Sequence, residues 1–267
     1  MCIIIVKTKT QKKPSIERLK KAYNYNSDGG GFMYVDNNKV VIDKGYMDVN
    51  SFIDRYKELC KKYNDFKNKS LVIHCRISTS GQVKKEYTHP YPLCNDYKNM
   101  KKTYNICDVG VAHNGVIKDY TPKTSKINDT MLFIHDYLFK MYKYGVLFNQ
   151  SILNNISGFT SSKFAILTSD DNLYMIGDFI HDKQYYSNDT YKDYFYNKYD
   201  YYSMIDDVTD YINDNTQVII DDIITDVKNI RIERDSQFMY DWYNMRLYEY
   251  TSDIINIIDN IELIGWW

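Results

Sequence analysis

The chain opens on an unbroken apolar run, Cys2-Ile3-Ile4-Ile5-Val6, with no polar alternation. A strand buried on both faces reads this way, because neither face meets water. Pro14 and Ser15 then open a short helix whose apolar stripe is Ile16, Leu19 and Tyr23. A glycine-rich stretch, Asn26 to Gly31, leads into Phe32-Met33-Tyr34-Val35. Asp36-Asn37-Asn38 reverses the chain into Val40-Val41-Ile42, which predicts a hairpin. Val49, Phe52, Ile53, Tyr56, Cys60 and Tyr63 fall on one face of a second helix. Leu71 to Arg76 and Val109 to His113 read as strands, and Asp129 through Lys143 as a helix. Phe164 to Thr168 and Leu173 to Ile176 flank Asp170-Asp171-Asn172 as a second hairpin. Strands joined mainly by hairpins, with helices inserted in pairs, predict an α+β fold of antiparallel sheets covered by helices. A doubly wound parallel sheet does not fit this order.

The pattern changes near residue 185. Residues 185–202 are dominated by Tyr, Asp, Asn and Lys, which suits a surface segment or linker. Beyond it, Met204 to Ile212 and Phe238 to Ile258 read as helices. The expected organisation is a domain over 1–185 and an acidic, Tyr-rich, mostly helical extension over 186–267. Charge sharpens this division: 186–267 hold six Lys or Arg against 17 Asp or Glu, a balance of −11 in a chain of net charge −1. Residues 1–185 therefore carry +10, by difference. Their lysines are interspersed with acids and no reading helix stands out, which argues against nucleic acid as a partner. The 28 tyrosines and only three alanines are what AT-rich codons produce, viral genomes among their sources, and carry no chemistry.

Five cysteines, odd in number and without a CxxC pair, suggest neither a disulfide framework nor a zinc site. The apolar run at residues 2–6 is too short for a signal peptide or a membrane span, and nothing longer follows. The expected location is the cytoplasm, of a host cell if the source is viral. His74, His89, His113, His135 and His181 lack ligand spacing, so no metal and no other cofactor is expected. Cys2 is different in kind. With Met1 removed, its thiol shares a residue with a free α-amine, whose pKa near ~7.7–8.0 leaves a useful neutral fraction at physiological pH. That amine can take the thiol proton and make a nucleophile without a histidine. A cysteine that merely begins a buried strand is the commoner case.

Five further segments change the weighing. Asn26-Ser27-Asp28-Gly29-Gly30-Gly31-Phe32-Met33 looks like a D-x-x-G turn, and His74-Cys75-Arg76-Ile77-Ser78-Thr79-Ser80-Gly81 resembles H-x-R-x-A-T-x-G. Thr88-His89-Pro90-Tyr91 resembles N-x-H-P, Val111-Ala112-His113-Asn114-Gly115-Val116-Ile117 resembles H-N-G-x-I, and Asn128-Asp129-Thr130 is similar to S-D-T. Together with Cys2 they follow, in order, the pattern of the class II glutamine amidotransferases, of the N-terminal-nucleophile hydrolase superfamily. The resemblance covers roughly residues 2–180 and is closest to small stand-alone versions encoded by bacteriophages. Ser78 and Ser80 depart from it, standing where many relatives have Ala and His.

That resemblance implies a four-layer αββα sandwich of two antiparallel sheets. It implies release of ammonia from the side-chain amide of glutamine, through a γ-glutamyl thioester on Cys2. The side-chain amide of Asn114 and the backbone N–H of Gly115 are the implied oxyanion donors. Asn-Gly between apolar pairs is also the commonest hairpin turn. Arg76 suits glutamine's α-carboxylate, because its planar fork binds carboxylates bidentately. Asp129 corresponds to the family position for the α-ammonium group, although an N-cap role is open to it or to Asn128. Thr79 is expected to line the pocket. Alternation sends Cys75 away from Arg76, into packing. The glycine loop is expected to close over glutamine beside the N-terminal strand. An ammonia-accepting synthetase as a separate protein is the implied partner. Two alternatives stand beside this: a hydrolase of another γ-glutamyl amide, and a catalytically retired fold used for binding or regulation.

Overall fold

A computed structural model describes residues 2–78, 82–124 and 126–192. The helices predicted at 204–212 and 238–258 lie outside these described residues. The strands are β1 (Ile3–Lys7), β2 (Gly30–Asp36), β3 (Lys39–Tyr46), β4 (Leu71–Cys75), β5 (Tyr91–Pro92), β6 (Tyr104–Cys107), β7 (Val109–Asn114), β8 (Lys163–Thr168), β9 (Leu173–Ile176), β10 (Ile180–Asp182) and β11 (Gln184–Tyr186). The helices are α1 (Ile16–Asn24), α2 (Val49–Lys62), α3 (Tyr97–Lys101), α4 (Asp129–Phe133), α5 (Phe139–Lys143) and α6 (Gln150–Thr160). A π-helical turn, Ile134–Leu138, joins α4 to α5, so the predicted helix over 129–143 is continuous.

Two sheets form, of seven strands in the order β10-β11-β1-β4-β2-β3-β6 and of four in the order β5-β7-β8-β9. Every pairing is antiparallel. The β2–β3 hairpin turns through Asn37 and Asn38, both with positive φ (49° and 55°), the geometry two-residue hairpin turns require.

Alternation along the strands sorts side chains into three cores. Ile3, Ile5, Phe32, Tyr34, Ile73 and Cys75 of the first sheet pack against Leu19, Ala22 and Tyr23 of α1 and Phe52, Ile53, Tyr56 and Leu59 of α2. From the same sheet Ile4, Val6, Met33, Ile42 and Val72 face Ala112, Ala165 and Leu167 of the second sheet. The other face of that sheet, Val111, Phe164 and Ile166, packs on Met131, Phe133, Leu138 and Ile156 of the remaining helices. Helix, sheet, sheet, helix is the layer order the resemblance implies. Cys75 packs with the helices, as alternation predicts.

Two local expectations change. Ile16 is the first residue of α1 and stays exposed; Ala22 completes the stripe with Leu19 and Tyr23. Residues 186–191 do not behave as a surface linker. Tyr186 pairs with Ile5 on the edge of β1, and its ring stacks on the buried Tyr191 at 3.6 Å. Polar composition hid a segment whose tyrosines carry its packing.

Candidate active site

Cys2 immediately precedes β1, which is held between β11 and β4. Its Sγ donates to the Ile77 carbonyl at 3.3 Å, and its own carbonyl accepts from Asn188 Nδ2 at 2.7 Å. Asn188 has no freedom in this, because its Oδ1 is taken by the N–H and hydroxyl of Thr190 at 3.2 and 2.8 Å. Cys2 as a whole residue is half-buried. Burial nonetheless pushes its pKa up; the Arg76 guanidinium is among the groups pulling it down, and Asp129 adds to the rise. Burial thus favours the neutral thiol over the thiolate at Cys2.

Arg76 follows the last residue of β4 and is buried. Its backbone N–H donates to the Gly29 carbonyl and its carbonyl accepts from Asp28, both at 2.8 Å. Its guanidinium donates to Ser78 Oγ at 2.9 Å and to the Gln82 carbonyl at 3.2 Å. Asp28 Oδ2 accepts the Ser78 N–H at 2.6 Å. The glycine loop is thus stitched to the end of β4. It does not lie beside the N-terminal strand as the sequence reading supposed, because β4 comes between β1 and β2. Thr79 lies outside the described residues.

Asn114 is the last residue of β7. The hairpin reading of Asn114-Gly115 is not realised: β7 pairs with β5 and β8, and the chain runs on into a 3-10 turn at Lys118–Tyr120. Gly115 has φ +144°, and a Cβ there would collide with the Ser162 side chain. Asn114 Nδ2 donates to Ser187 Oγ at 2.9 Å, while its buried Oδ1 has no partner. Asp129 is the first residue of α4. Asn128 supplies the N-cap, accepting from the Met131 N–H at 2.8 Å. That leaves the Asp129 carboxylate for other work: Oδ2 accepts the Ile117 N–H at 2.9 Å and Oδ1 the Thr130 N–H at 2.8 Å. It braces the chain just past Gly115.

Sequence reasoning missed Ser187 and Asn188. Ser187 Oγ accepts the Ile4 N–H at 2.8 Å as well as Asn114 Nδ2, and Lys163 Nζ donates to the Ser187 carbonyl at 2.6 Å. The only signal was a cluster of short polar side chains, Ser187-Asn188-Asp189-Thr190, which reads equally well as a loop.

Behind this site sit His74, His89 and His113, all buried. His89 stacks on His74 with ring centroids 4.4 Å apart and lies 6.2 Å from His113. His74 Nε2 bonds the His113 carbonyl at 2.9 Å, and His113 Nδ1 meets Thr130 Oγ1 at 2.7 Å. Burial holds all three neutral: His74 falls to about 3, and His89 and His113 fall well below the ordinary imidazole value. Ring stacking and these hydrogen bonds hold the three rings in place. Lys44, also buried, donates to the Thr88 and Met100 carbonyls at 2.8 Å and lies 3.8 Å from the Tyr91 ring centroid, fixing the loop that carries His89. Among the described residues no helix is long and apolar enough to cross a membrane.

The sequence model of the family described as glutamine amidotransferases class-II matches residues 13–131. That stretch contains Arg76, Asn114, Gly115 and Asp129, and begins after Cys2. No curated protein matches the chain. Among solved structures, glutamine phosphoribosylpyrophosphate (PRPP) amidotransferase from B. subtilis, complexed with ADP and GMP, is similar at 14% identity and a TM-score of 0.39. The similarity covers 70% of this chain and 41% of that one, so this chain spans well under half of that enzyme's length. The family match spans residues 13–131, so over that stretch, which holds four of the motif residues, the chain is similar to the class II glutamine amidotransferases.

Proposed function

We propose that the domain hydrolyses the side-chain amide of glutamine through a thioester on Cys2, giving glutamate and ammonia. The observation that carries this reading is the pair of ties made by one dipeptide: Ser187 bonds the Asn114 side chain and Asn188 bonds the Cys2 carbonyl. Nucleophile and oxyanion donor are thereby fixed to a common support, which preorganised catalysis needs.

In this reading the free α-amine of Cys2 takes the thiol proton, and the thiolate attacks the amide carbon of glutamine. Asn114 Nδ2 and the Gly115 N–H receive the oxyanion. The carbon–nitrogen bond breaks as the α-ammonium returns its proton to the leaving nitrogen, and ammonia departs. Water, deprotonated by the same amine, then cleaves the thioester to glutamate and restores the thiol. Arg76 binds the α-carboxylate bidentately. Asp129 binds the α-ammonium through carboxylate lone pairs that the Ile117 and Thr130 N–H groups leave open. Ammonia passes to an acceptor on a separate protein, or is simply released.

The test is glutamate release by protein whose N-terminus has been read by intact mass, beside a Cys2→Ala variant. Mature protein should release glutamate and ammonia in equal amounts. Cys2→Ala should lose at least ~10³-fold, and chains retaining Met1 should be inactive because their nitrogen is an amide. A folded, mature protein without turnover, or an active Cys2→Ala, would overturn the reading.

A further inference from the structure

We infer that Ser187 is a positioning residue for the oxyanion site: its hydroxyl donates to Asn114 Oδ1 and turns Nδ2 of that carboxamide toward the reacting centre. The inference rests on the amidotransferase reading and adds a residue to it.

The argument is one of hydrogen-bond accounting. Ser187 Oγ already accepts the Ile4 N–H at 2.8 Å, and in the resting arrangement also accepts from Asn114 Nδ2 at 2.9 Å. A hydroxyl has two acceptor sites and one proton of its own. Both acceptor sites are then used and the proton is left to give. At the same time Asn114 Oδ1 is buried with no partner. A donor without an acceptor and an acceptor without a donor sit on directly bonded neighbours. Rotating the carboxamide by half a turn resolves both, since its two ends have nearly the same shape. The Ser187 hydroxyl then donates to Oδ1, the Ile4 N–H keeps its acceptor, and Nδ2 occupies the direction that now holds the orphaned oxygen. In the proposed reaction an amide nitrogen, and not an amide oxygen, is what a developing oxyanion requires.

Ser187 is well placed to hold that orientation. Its backbone N–H donates to the Ile4 carbonyl at 2.9 Å, and its carbonyl receives Lys163 Nζ. The residue that carries the hydroxyl is therefore anchored at its N–H on β1, the strand that follows Cys2, and at its carbonyl on β8.

The experiment compares Ser187→Thr with Ser187→Val, which have nearly equal volume and differ by the hydroxyl. Glutaminase kinetics are measured on mature protein, each variant being checked for an unchanged melting temperature. Ser187→Val is expected to lower kcat by about 10- to 100-fold with KM within about twofold, because both the thioester-forming and thioester-cleaving steps pass through an oxyanion. Ser187→Thr should stay within about threefold of the parent. The Val effect should also vanish in an Asn114→Ala background, since a residue acting only through Asn114 has nothing left to orient. Equal kcat in the Thr and Val variants, or an effect that adds to Asn114→Ala in full, overturns the role of Ser187 while leaving the reaction intact. An inactive parent with a mature N-terminus overturns the reaction itself, and this role with it.

Discussion

Asn114 and His113 are neighbours on one strand, and the regions they enter are built on opposite principles. Alternation turns Asn114, with Ala112, toward the first sheet, and His113, with Val111, toward the helices. Around Asn114 the buried polar groups form a chain of directional bonds: Ile4 N–H and Asn114 to Ser187 Oγ, Lys163 to the Ser187 carbonyl, and Asn188 to the Cys2 carbonyl. Around His113 three imidazoles are packed by ring contact, and two ring nitrogens, His74 Nδ1 and His113 Nε2, are buried without partners. The first region spends its polarity on orientation. The second holds its rings by stacking and by two ring bonds, His74 Nε2 with the His113 carbonyl and His113 Nδ1 with Thr130 Oγ1, and leaves two ring nitrogens unpaired where the first leaves one amide oxygen. One is therefore expected to fail by losing rate, the other by losing stability.

The sharpest way to break that contrast is Asn114→Ala. If Asn114 is an oxyanion donor as proposed, its loss should cost about 10²–10³ in kcat. Ser187 would keep its bond to the Ile4 N–H, so the fold should lose only about 1 kcal/mol. Steady-state kinetics and urea melts on the same preparation check both. A large fall in stability with an unchanged kcat would reverse the assignment of the two regions.

Acid should act on the other region. In the unfolded chain each histidine takes a proton near pH 6.5, whereas burial keeps His74, His89 and His113 neutral well below that. Below pH 6.5 the unfolded state thus binds more protons than the folded one, and stability falls as pH falls. Stability is full above pH 6.5 and declines through the window down to the folded values, which for His74 is about 3. Between pH 6.5 and 5 the loss is about 2 kcal/mol per histidine held neutral. Urea unfolding across pH 5–7.5 measures it. A flat profile would mean that the trio opens to water and titrates normally.

Sequence pattern and structure agree best where one physical cause dominates. The apolar run at Ile3–Val6, the Asn37-Asn38 turn and the apolar β2, β4 and β8 strands follow from burial and turn chemistry alone, and the layer order follows from them. The motif residues were legible only through resemblance: nothing in spacing alone says that Asn114-Gly115 ends a strand instead of turning a hairpin. Ser187 and Asn188 were not legible at all. Their partners are 183 and 186 residues away in sequence, and short polar residues after a tyrosine pair carry no periodicity that points to them. Long-range polar closure of this kind becomes visible only once β11 is seen against β1.

The smallest expected effect tests how far that closure extends. Lys163 heads β8 and reaches the site only through the Ser187 carbonyl, and its partly exposed ammonium has its pKa lowered mainly by burial. Lys163→Met keeps the aliphatic stem and removes the donor. Solvent at the half-open ammonium softens the loss, so stability should fall by only about 1 kcal/mol. If the backbone of Ser187 is fixed mainly by its N–H bond to the Ile4 carbonyl, kcat should fall by no more than about threefold. A fall approaching that of Asn114→Ala would mean that Lys163, and not the pairing of β1 with the chain after β11, sets the position of the hydroxyl. The orienting network would then belong to the second sheet as much as to the first.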